Sequence, residues 1–142
     1  SNPLFGLNTL GGALAVRMKR GDRDAGSEAE LGLGAFGRRS VEAAHGRALG
    51  ETGHVYLAAA GFEEDGWRDF SASRLGQLFL RGGASAGATD WDVSLTHART
   101  NLIGNGLAPD TLLEARRSAI YTRPDQTRNR LTVLVLQAEH DL

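Results

Sequence analysis

The sequence has no cysteine, only three prolines, few aromatic residues and almost no net charge. Without cysteine, neither a disulfide framework nor a thiolate metal site can form. A net charge of -1 on 142 residues argues against general nucleic-acid binding, which normally requires a clearly basic chain. No apolar run approaches the length of about 20 residues that a transmembrane helix needs. These absences leave a single domain of ordinary size and point to no nucleic-acid partner.

Glycine is the residue in excess. Nineteen of the 142 residues are glycine, which is about twice the usual frequency. The glycines follow no collagen-like period, and so they predict strands with close backbone approaches and tight turns. Hydrophobic residues make up 41% of the chain, enough to bury some surface, which argues against a loose linker.

Alternation of apolar and polar residues is the strongest structural signal. In the stretch DWDVSLTH, Trp91, Val93 and Leu95 fall on one side of a strand while Asp90 and Asp92 fall on the other. Similar patterns predict six strands, at about 28–36, 39–47, 54–63, 73–83, 89–99 and 129–140. Their spacing predicts an all-β fold, an antiparallel meander of about six strands.

The connections between these strands are unequal in length. RALGET and ASAGAT are short, whereas EEDGWRDFSA and the stretch from Thr100 to Arg128 are long. Within the longest connection a short helix is predicted, because Pro109 suits a first turn and Thr111 with Glu114 fits a capping box. Short turns on one side and long loops on the other are typical of outer-membrane barrels. The strand spacing would also suit a soluble sandwich.

One motif suggests a different fold. Residues 32–37 spell G-x-G-x-x-G, the phosphate-binding pattern of dinucleotide-binding domains, and an acidic run follows at 63–65. The first strand of such a unit is buried on both faces and should be continuously apolar. Here Glu28 and Glu30 interrupt it. We therefore predict strand and turn glycines, and keep dinucleotide binding as the least favoured alternative.

No pattern predicts catalysis or a resident metal. Ser, His and Asp occur without a nucleophile-elbow context. The histidines lie on different segments, without helical pairing or a nearby carboxylate cluster: His45, His54, His97 and His140. A run of cations is interpreted as a solvated linker: Arg17, Lys19, Arg20 and Arg23. We expect no enzymatic activity, no catalytic residues, no metal site and no cofactor.

The opening stretch SNPLFGLNTLGGALAVRMKRG resembles the end of the plug domain of TonB-dependent outer-membrane receptors. In that family the chain passes a Tyr/Phe-Gly turn, a Gly-Gly pair, a short strand and a basic residue before it enters the barrel. Met18 stands where many members carry threonine. The matching residues are Asn2, Pro3, Phe5, Gly6, Gly11, Gly12, Ala15, Val16 and Lys19.

The resemblance continues along the chain in the expected order. Residues 34–46 resemble the first barrel hairpin, 62–71 the second outward loop, and 100–130 the third outward loop of one branch of the family. The resemblance implies that residues 1–21 end the plug and that 22–142 form the first six or so strands of a large plugged barrel.

Two further features bear on this resemblance. We expect the natural protein to continue beyond Ser1 and Leu142, because barrels of this family finish with a strand that ends in an aromatic residue. Aromatic residues make up only 6% of the chain, fewer than the interfacial girdles of membrane barrels normally need.

The resemblance implies a function in transport. It implies active uptake of a scarce ligand, such as a siderophore-like metal chelate or a cofactor, across the bacterial outer membrane. The expected partners are outer-membrane lipid, the TonB energy-coupling complex and the small-molecule ligand. Candidate ligand-binding residues lie on outward loops: Trp67, Arg68, Asp69, Arg116, Arg117 and Tyr121. The main alternative is a soluble all-β interaction module.

Overall fold

The fold is seen in a computed structural model that describes residues 16–123 and 125–141, to which all structural statements refer. The plug resemblance from Asn2 to Ala15 therefore lies outside the described residues. The elements are β1 (Gly26–Leu33), β2 (Arg39–Leu49), β3 (Gly53–Glu64), β4 (Ser73–Ala86), β5 (Thr89–Ile103), α1 (Asp110–Ala115) and β6 (Gln126–His140).

All six strands form one sheet in the order in which they follow one another in the chain. Each strand pairs antiparallel with the next, and β1 and β6 form the two edges of the described sheet. The predicted all-β meander with one short helix is therefore confirmed. β4, β5 and β6 are longer than predicted, with 14, 15 and 15 residues.

The first strand ends earlier than the prediction placed it. β1 stops at Leu33, and the backbone then turns through Phe36 and Gly37, both with positive φ (57° and 70°). The turn is closed by a 2.9 Å hydrogen bond from the Gly34 N–H to the Arg38 carbonyl oxygen. The chain that follows residues 32–37 is strand β2, so the helix that dinucleotide binding would require is replaced by a hairpin.

The helix in the longest connection forms, but its predicted capping box was wrong. Pro109 occupies the N-cap position, and no side chain caps the helix. The Pro109 carbonyl oxygen accepts the N–H groups of both Leu112 and Leu113, at 3.0 and 3.2 Å. Because this carbonyl already fixes the first turn, Thr111 lies inside the helix rather than at its boundary.

The two faces of the sheet differ in chemistry. Successive side chains of a strand point to opposite faces, so the pairing register assigns each residue to one of them. The apolar face carries Leu31, Val41, Val55, Leu57, Leu78, Leu80, Trp91, Val93, Leu95, Leu134 and Leu136. The opposite face, called the packed face below, carries Glu28, Glu30, Glu42, Tyr56, Gln77, Phe79, Arg81 and Asp92.

The two ends of the sheet differ in the length of their connections. Residues 50–52 and 87–88 close hairpins at one end, called the short-turn edge. Gly50 and Gly87, each at φ 64°, supply the left-handed backbone that these tight turns need. The connections 34–38, 65–72 and 104–125 lie at the opposite end, called the long-loop edge. No helix in the described ranges is long and apolar enough to span a membrane.

Close packing is concentrated where residues 16–24, called the entry segment, lie on the packed face. Gly21, Gly46, His54 and Tyr56 are buried there. A Cβ atom on Gly21 would lie 1.9 Å from the Val55 carbonyl oxygen. Only glycine at this position lets the entry segment approach the sheet backbone so closely.

Candidate functional site

The entry segment is held to the sheet by a group of charged residues around Asp92, called the Asp92 junction. Arg81 Nε donates to Asp92 Oδ1 at 2.9 Å, and Arg81 Nη1 donates to the Met18 carbonyl oxygen at 2.9 Å. Arg20 Nη1 lies 3.8 Å from Asp92 Oδ2. One carboxylate therefore faces a guanidinium from β4 and a second guanidinium from the entry segment.

His54 completes the Asp92 junction from β3. Its side chain is buried, and its Nε2 atom lies 3.3 Å from Asp92 Oδ2. Neither ring nitrogen has a hydrogen-bond partner within the described residues. Gly83 makes room for the ring, because a Cβ there would lie 2.7 Å from Nε2.

The cationic run was interpreted as a solvated linker, and the structure adds that two of its members form ion pairs with carboxylates. Lys19 Nζ donates to Glu28 Oε1 at 2.7 Å, and this hydrogen bond raises the pKa of Lys19. The bond from Arg20 Nε to Asp22 Oδ1, at 3.1 Å, lowers the pKa of Asp22. Two cations of the entry segment, Lys19 and Arg20, therefore form specific ion pairs.

The Asp92 junction was not predicted from the sequence, although a signal for it existed. Asp92 was assigned to the polar side of its strand, and Arg81 lies on the same face of the neighbouring strand β4. The two-residue turn at 87–88 pairs Asp92 with Gly83, which lies two residues from Arg81 along β4 and on the same face. Working out the register of this hairpin would have predicted the Arg81–Asp92 pair.

A cavity of about 530 Å³ lies between the entry segment and the packed face. Its floor includes Ala58 and Ala60 of β3, whose small side chains leave the space open. Glu42 and Gln77 add polar groups, and Met18 forms part of the wall on the side of the entry segment.

A second pocket lies at the long-loop edge and includes three of the predicted ligand-binding residues. Trp67 and Arg68 of the connection 65–72 face Arg117, which follows helix α1. The pocket has a volume of about 500 Å³ and is also lined by Asp110, Leu113 and Glu114. The Arg68 guanidinium carbon lies 4.8 Å from the centre of the Trp67 ring, in cation–π geometry.

The other three predicted residues do not line this loop pocket. The Arg116 guanidinium forms an ion pair with the Asp69 carboxylate. The backbone N–H of Asp69 also donates to the Ser118 carbonyl oxygen at 2.8 Å, so this contact joins the two long connections. Tyr121 is 67% exposed and lies outside the pocket.

The described residues hold no cluster of three or more histidine, aspartate or glutamate side chains suited to a metal ion. No protein-family model, curated protein or solved structure matches the chain.

Proposed function

We propose that this chain is part of a TonB-dependent outer-membrane receptor, in which residues 22–142 form part of the barrel wall and residues 1–21 end the plug. Such a receptor takes up a scarce ligand, such as a metal chelate or a cofactor, without making or breaking bonds. The observation that carries the proposal is the two-faced sheet. One face is apolar and exposed, and the other is covered in part by the chain's own entry segment.

The apolar face supports a lipid environment. Leu31, Leu134 and Leu136 are 81%, 69% and 68% exposed, although leucine is a residue that folding normally buries. Soluble monomers rarely expose continuous apolar patches larger than a few hundred Å². Hydrocarbon in contact with this face would remove the unfavourable exposure to water.

Strand lengths and connections support the same reading. A tilted strand crosses a bilayer with about 9–11 residues, and β2 to β6 have at least 11 residues each. Outer-membrane barrels place short turns on the periplasmic side and long loops outside. In lipid the free edges of β1 and β6 must pair with further strands of the wall, because unpaired backbone groups are very unfavourable there.

The loop pocket supports a binding role. It would face the outside of the cell, and its two guanidiniums from Arg68 and Arg117 suit anionic groups on a ligand. Trp67 offers an aromatic surface, while Asp110 and Glu114 balance the positive charge. This mixture fits a chelate that carries both anionic groups and hydrogen-bond donors.

The proposal is tested by spin labels placed along β5. Because the 142 residues contain no cysteine, single cysteines at Val93, Ser94, Leu95 and Thr96 can each carry a label without background from this chain. The measurements are made in lipid bilayers, on the polypeptide in the form in which its own cells produce it. We expect labels at 93 and 95 to be relaxed by lipid-dissolved oxygen. Labels at 94 and 96 should be relaxed less by oxygen.

The main alternative, a soluble all-β interaction module, predicts a different result in the spin-label experiment. A soluble interaction module would stay in the aqueous fraction, and the labels at 93 and 95 would be relaxed by a water-soluble nickel complex. That result, or the absence of any alternation between neighbouring positions, would contradict the barrel proposal.

A further inference from the structure

His54 is buried at the Asp92 junction although nothing satisfies the polar atoms of its ring. Only 3% of the residue is exposed, and neither Nδ1 nor Nε2 has a hydrogen-bond partner within the described residues. Buried polar side-chain atoms nearly always have such a partner, so an exception needs an explanation. The other three histidines each contact a hydroxyl group at 2.8 Å: His45, His97 and His140. His54 therefore differs from them both in its burial and in its unpaired ring.

Charged groups face the His54 ring from β4, from β5 and from the entry segment. Asp92 of β5 is the nearest, with Oδ2 3.3 Å from Nε2. Arg81 of β4 donates from Nε to the same carboxylate, at 2.9 Å to Oδ1 and 3.0 Å to Oδ2. From the entry segment, Arg20 Nη1 lies 3.8 Å from Asp92 Oδ2, and Asp22 is near enough for the charge of the ring to affect it.

The remaining neighbours of the ring do not contact it through a charged group. Ala48 lies opposite His54 on β2 and does not titrate. Asp24 Oδ2 accepts the backbone N–H of Arg20 at 2.9 Å, and Asp90 acts electrostatically on Arg20. Within the described residues, the Asp92 carboxylate is therefore the only anionic group in direct contact with the ring.

The neutral and charged forms of the His54 ring fit this site differently. A neutral imidazole has one N–H donor and one acceptor nitrogen, whereas the charged imidazolium has two donors and no acceptor. In the closed site Asp92 can accept only from Nε2, so the Nδ1–H of the charged ring would stay buried without a partner. Burying a charged group with an unmet hydrogen bond is strongly unfavourable. The charged ring therefore favours an arrangement in which water reaches Nδ1.

A charge on His54 would also weaken the hold of Asp92 on the entry segment. Three nitrogens approach Asp92 Oδ2, at 3.0 Å from Arg81, 3.3 Å from His54 and 3.8 Å from Arg20. Arg20 is the farthest of the three and the one that belongs to the entry segment. A positive ring would attract the carboxylate and repel the Arg20 guanidinium. The contact that gives way is then the one between the sheet and the entry segment.

We propose that His54 is a pH-sensitive latch, in which protonation of the ring releases the entry segment from the sheet. Gly83 leaves the space for the ring beside Asp92, since a Cβ there would lie 2.7 Å from Nε2. In the proposed receptor the entry segment joins the plug to the wall, and His54, next to the turn 50–52, would lie on the periplasmic side. Acid on that side would loosen the plug where it meets the wall. The latch itself concerns the contact of the entry segment with the sheet and does not depend on the receptor proposal.

The test follows the mobility of a spin label on the entry segment at about pH 8 and about pH 5.5, a range in which histidine ordinarily changes charge. Because the chain has no cysteine, Arg23→Cys provides a single labelling site at an exposed position. The polypeptide is studied in the fraction in which its own cells yield it. We expect the ratio of mobile to immobile label to rise about tenfold on acidification, since a hydrogen bond to a charged group is worth about one power of ten or more. Asp22 stays ionised in this range, because its hydrogen bond with Arg20 lowers its pKa.

Two variants of His54 remove the titrating ring. In both His54→Gln and His54→Leu, the ratio should change by less than about twofold between the two pH values. His140→Gln is the matched control, because it removes a histidine at the same end of the sheet on the opposite face. It should keep the full response to acid.

A measurement with the His54 ring in place covers the case in which both variants are loose at the higher pH. NMR of isotope-labelled histidine rings follows the titration of His54, assigned by elimination with variants of the other three histidines. Midpoints of titration and mobility more than about one pH unit apart, a response in either His54 variant, or a label less mobile in acid would overturn the latch. No response in a polypeptide recovered in the membrane would overturn this proposal alone, and a full response in one recovered in the aqueous fraction would overturn the barrel function alone.

Discussion

At the scale of the residue, the absence of a side chain decides how the entry segment meets the sheet. Gly21 approaches the carbonyl oxygens of Val55 and Arg47, and Gly46 approaches that of Asp24. The contacts are between backbones, which cannot move away as a flexible side chain could. Gly76 has the opposite surroundings, because it faces open space.

We predict that Gly21→Ala destabilises the protein by about 1–3 kcal/mol, the usual range for overpacking a tight site. Its Cβ would lie 2.7 Å from the Arg47 carbonyl oxygen as well as 1.9 Å from that of Val55. Thermal unfolding in detergent measures the effect. Gly76→Ala is the control and should stay within about 0.5 kcal/mol of the wild type. Equal stability of the two variants would show that the entry segment does not lie on the sheet.

A second prediction at this scale concerns pH. The hydrogen bond from Arg20 lowers the pKa of Asp22 in the folded protein. The stabilising contact is therefore fully present above the ordinary aspartate pKa of about 3.9, and is lost as the pH falls through the lowered value. Carboxyl NMR titration should show this lowered pKa, and Arg20→Gln should return it towards the ordinary value. An unchanged titration in that variant would exclude Arg20 as the cause.

At the scale of the element, Asp92 joins three parts of the chain. It faces Arg81 from β4, His54 from β3 and Arg20 from the entry segment. The side chains of Asp92 and Arg81 are each only 15% exposed, so water screens their interaction weakly. This junction fixes where the entry segment lies.

We predict that Asp92→Asn loosens the entry segment, because both guanidiniums lose their common anion. The loss should be about 1–3 kcal/mol, the range for hydrogen bonds to charged groups. Trypsin digestion reports it directly, since Lys19 and Arg20 are cleavage sites within the segment. Asp90→Asn changes an exposed carboxylate on the same face and serves as the control. Cleavage at equal rates in the two variants would contradict the role of Asp92.

Much of the structure at the scale of the element could be predicted from the sequence, and the remainder depended on how the strands and loops pair with one another. The alternation around Trp91 and Val93 sufficed to assign β5 and its faces, because side-chain period is a local property. The end of β1 was misplaced, since the turn at Phe36 uses a positive φ that a phenylalanine rarely adopts. Three of the six predicted ligand-binding residues line one pocket. The ion pair of Arg116 with Asp69 could not be predicted from the sequence, because it depends on how the two loops fold against each other.

At the scale of the whole molecule, the sheet separates three environments. One face is apolar, the other carries the Asp92 junction, and the long-loop edge carries the pocket around Trp67. In the proposed receptor these would contact lipid, plug and ligand respectively. A single meander can serve all three because its faces and edges are chemically independent.

We predict that Trp67→Ala combined with Arg117→Gln reduces ligand uptake by cells about tenfold or more, through loss of a stacking surface and a charged hydrogen bond. Arg123→Gln is the matched control, since Arg123 lies against Phe70 and does not line the pocket. Uptake of a radiolabelled metal chelate, with and without the TonB complex, measures the effect. An equal loss in the control, or uptake that does not depend on the TonB complex, would contradict the assignment.

The unequal connections also govern how this protein can vary. The turn between β4 and β5 has only two residues, 87 and 88, and cannot absorb an added residue. An insertion within β4 or β5 would therefore move the following side chains of that strand to the opposite face of the sheet. The connections 65–72 and 104–125 can lengthen, shorten or change sequence without that consequence. In the proposed receptor, sequence differences among relatives should therefore accumulate in the connections that would contact the ligand, while the strands of the wall stay constant in length.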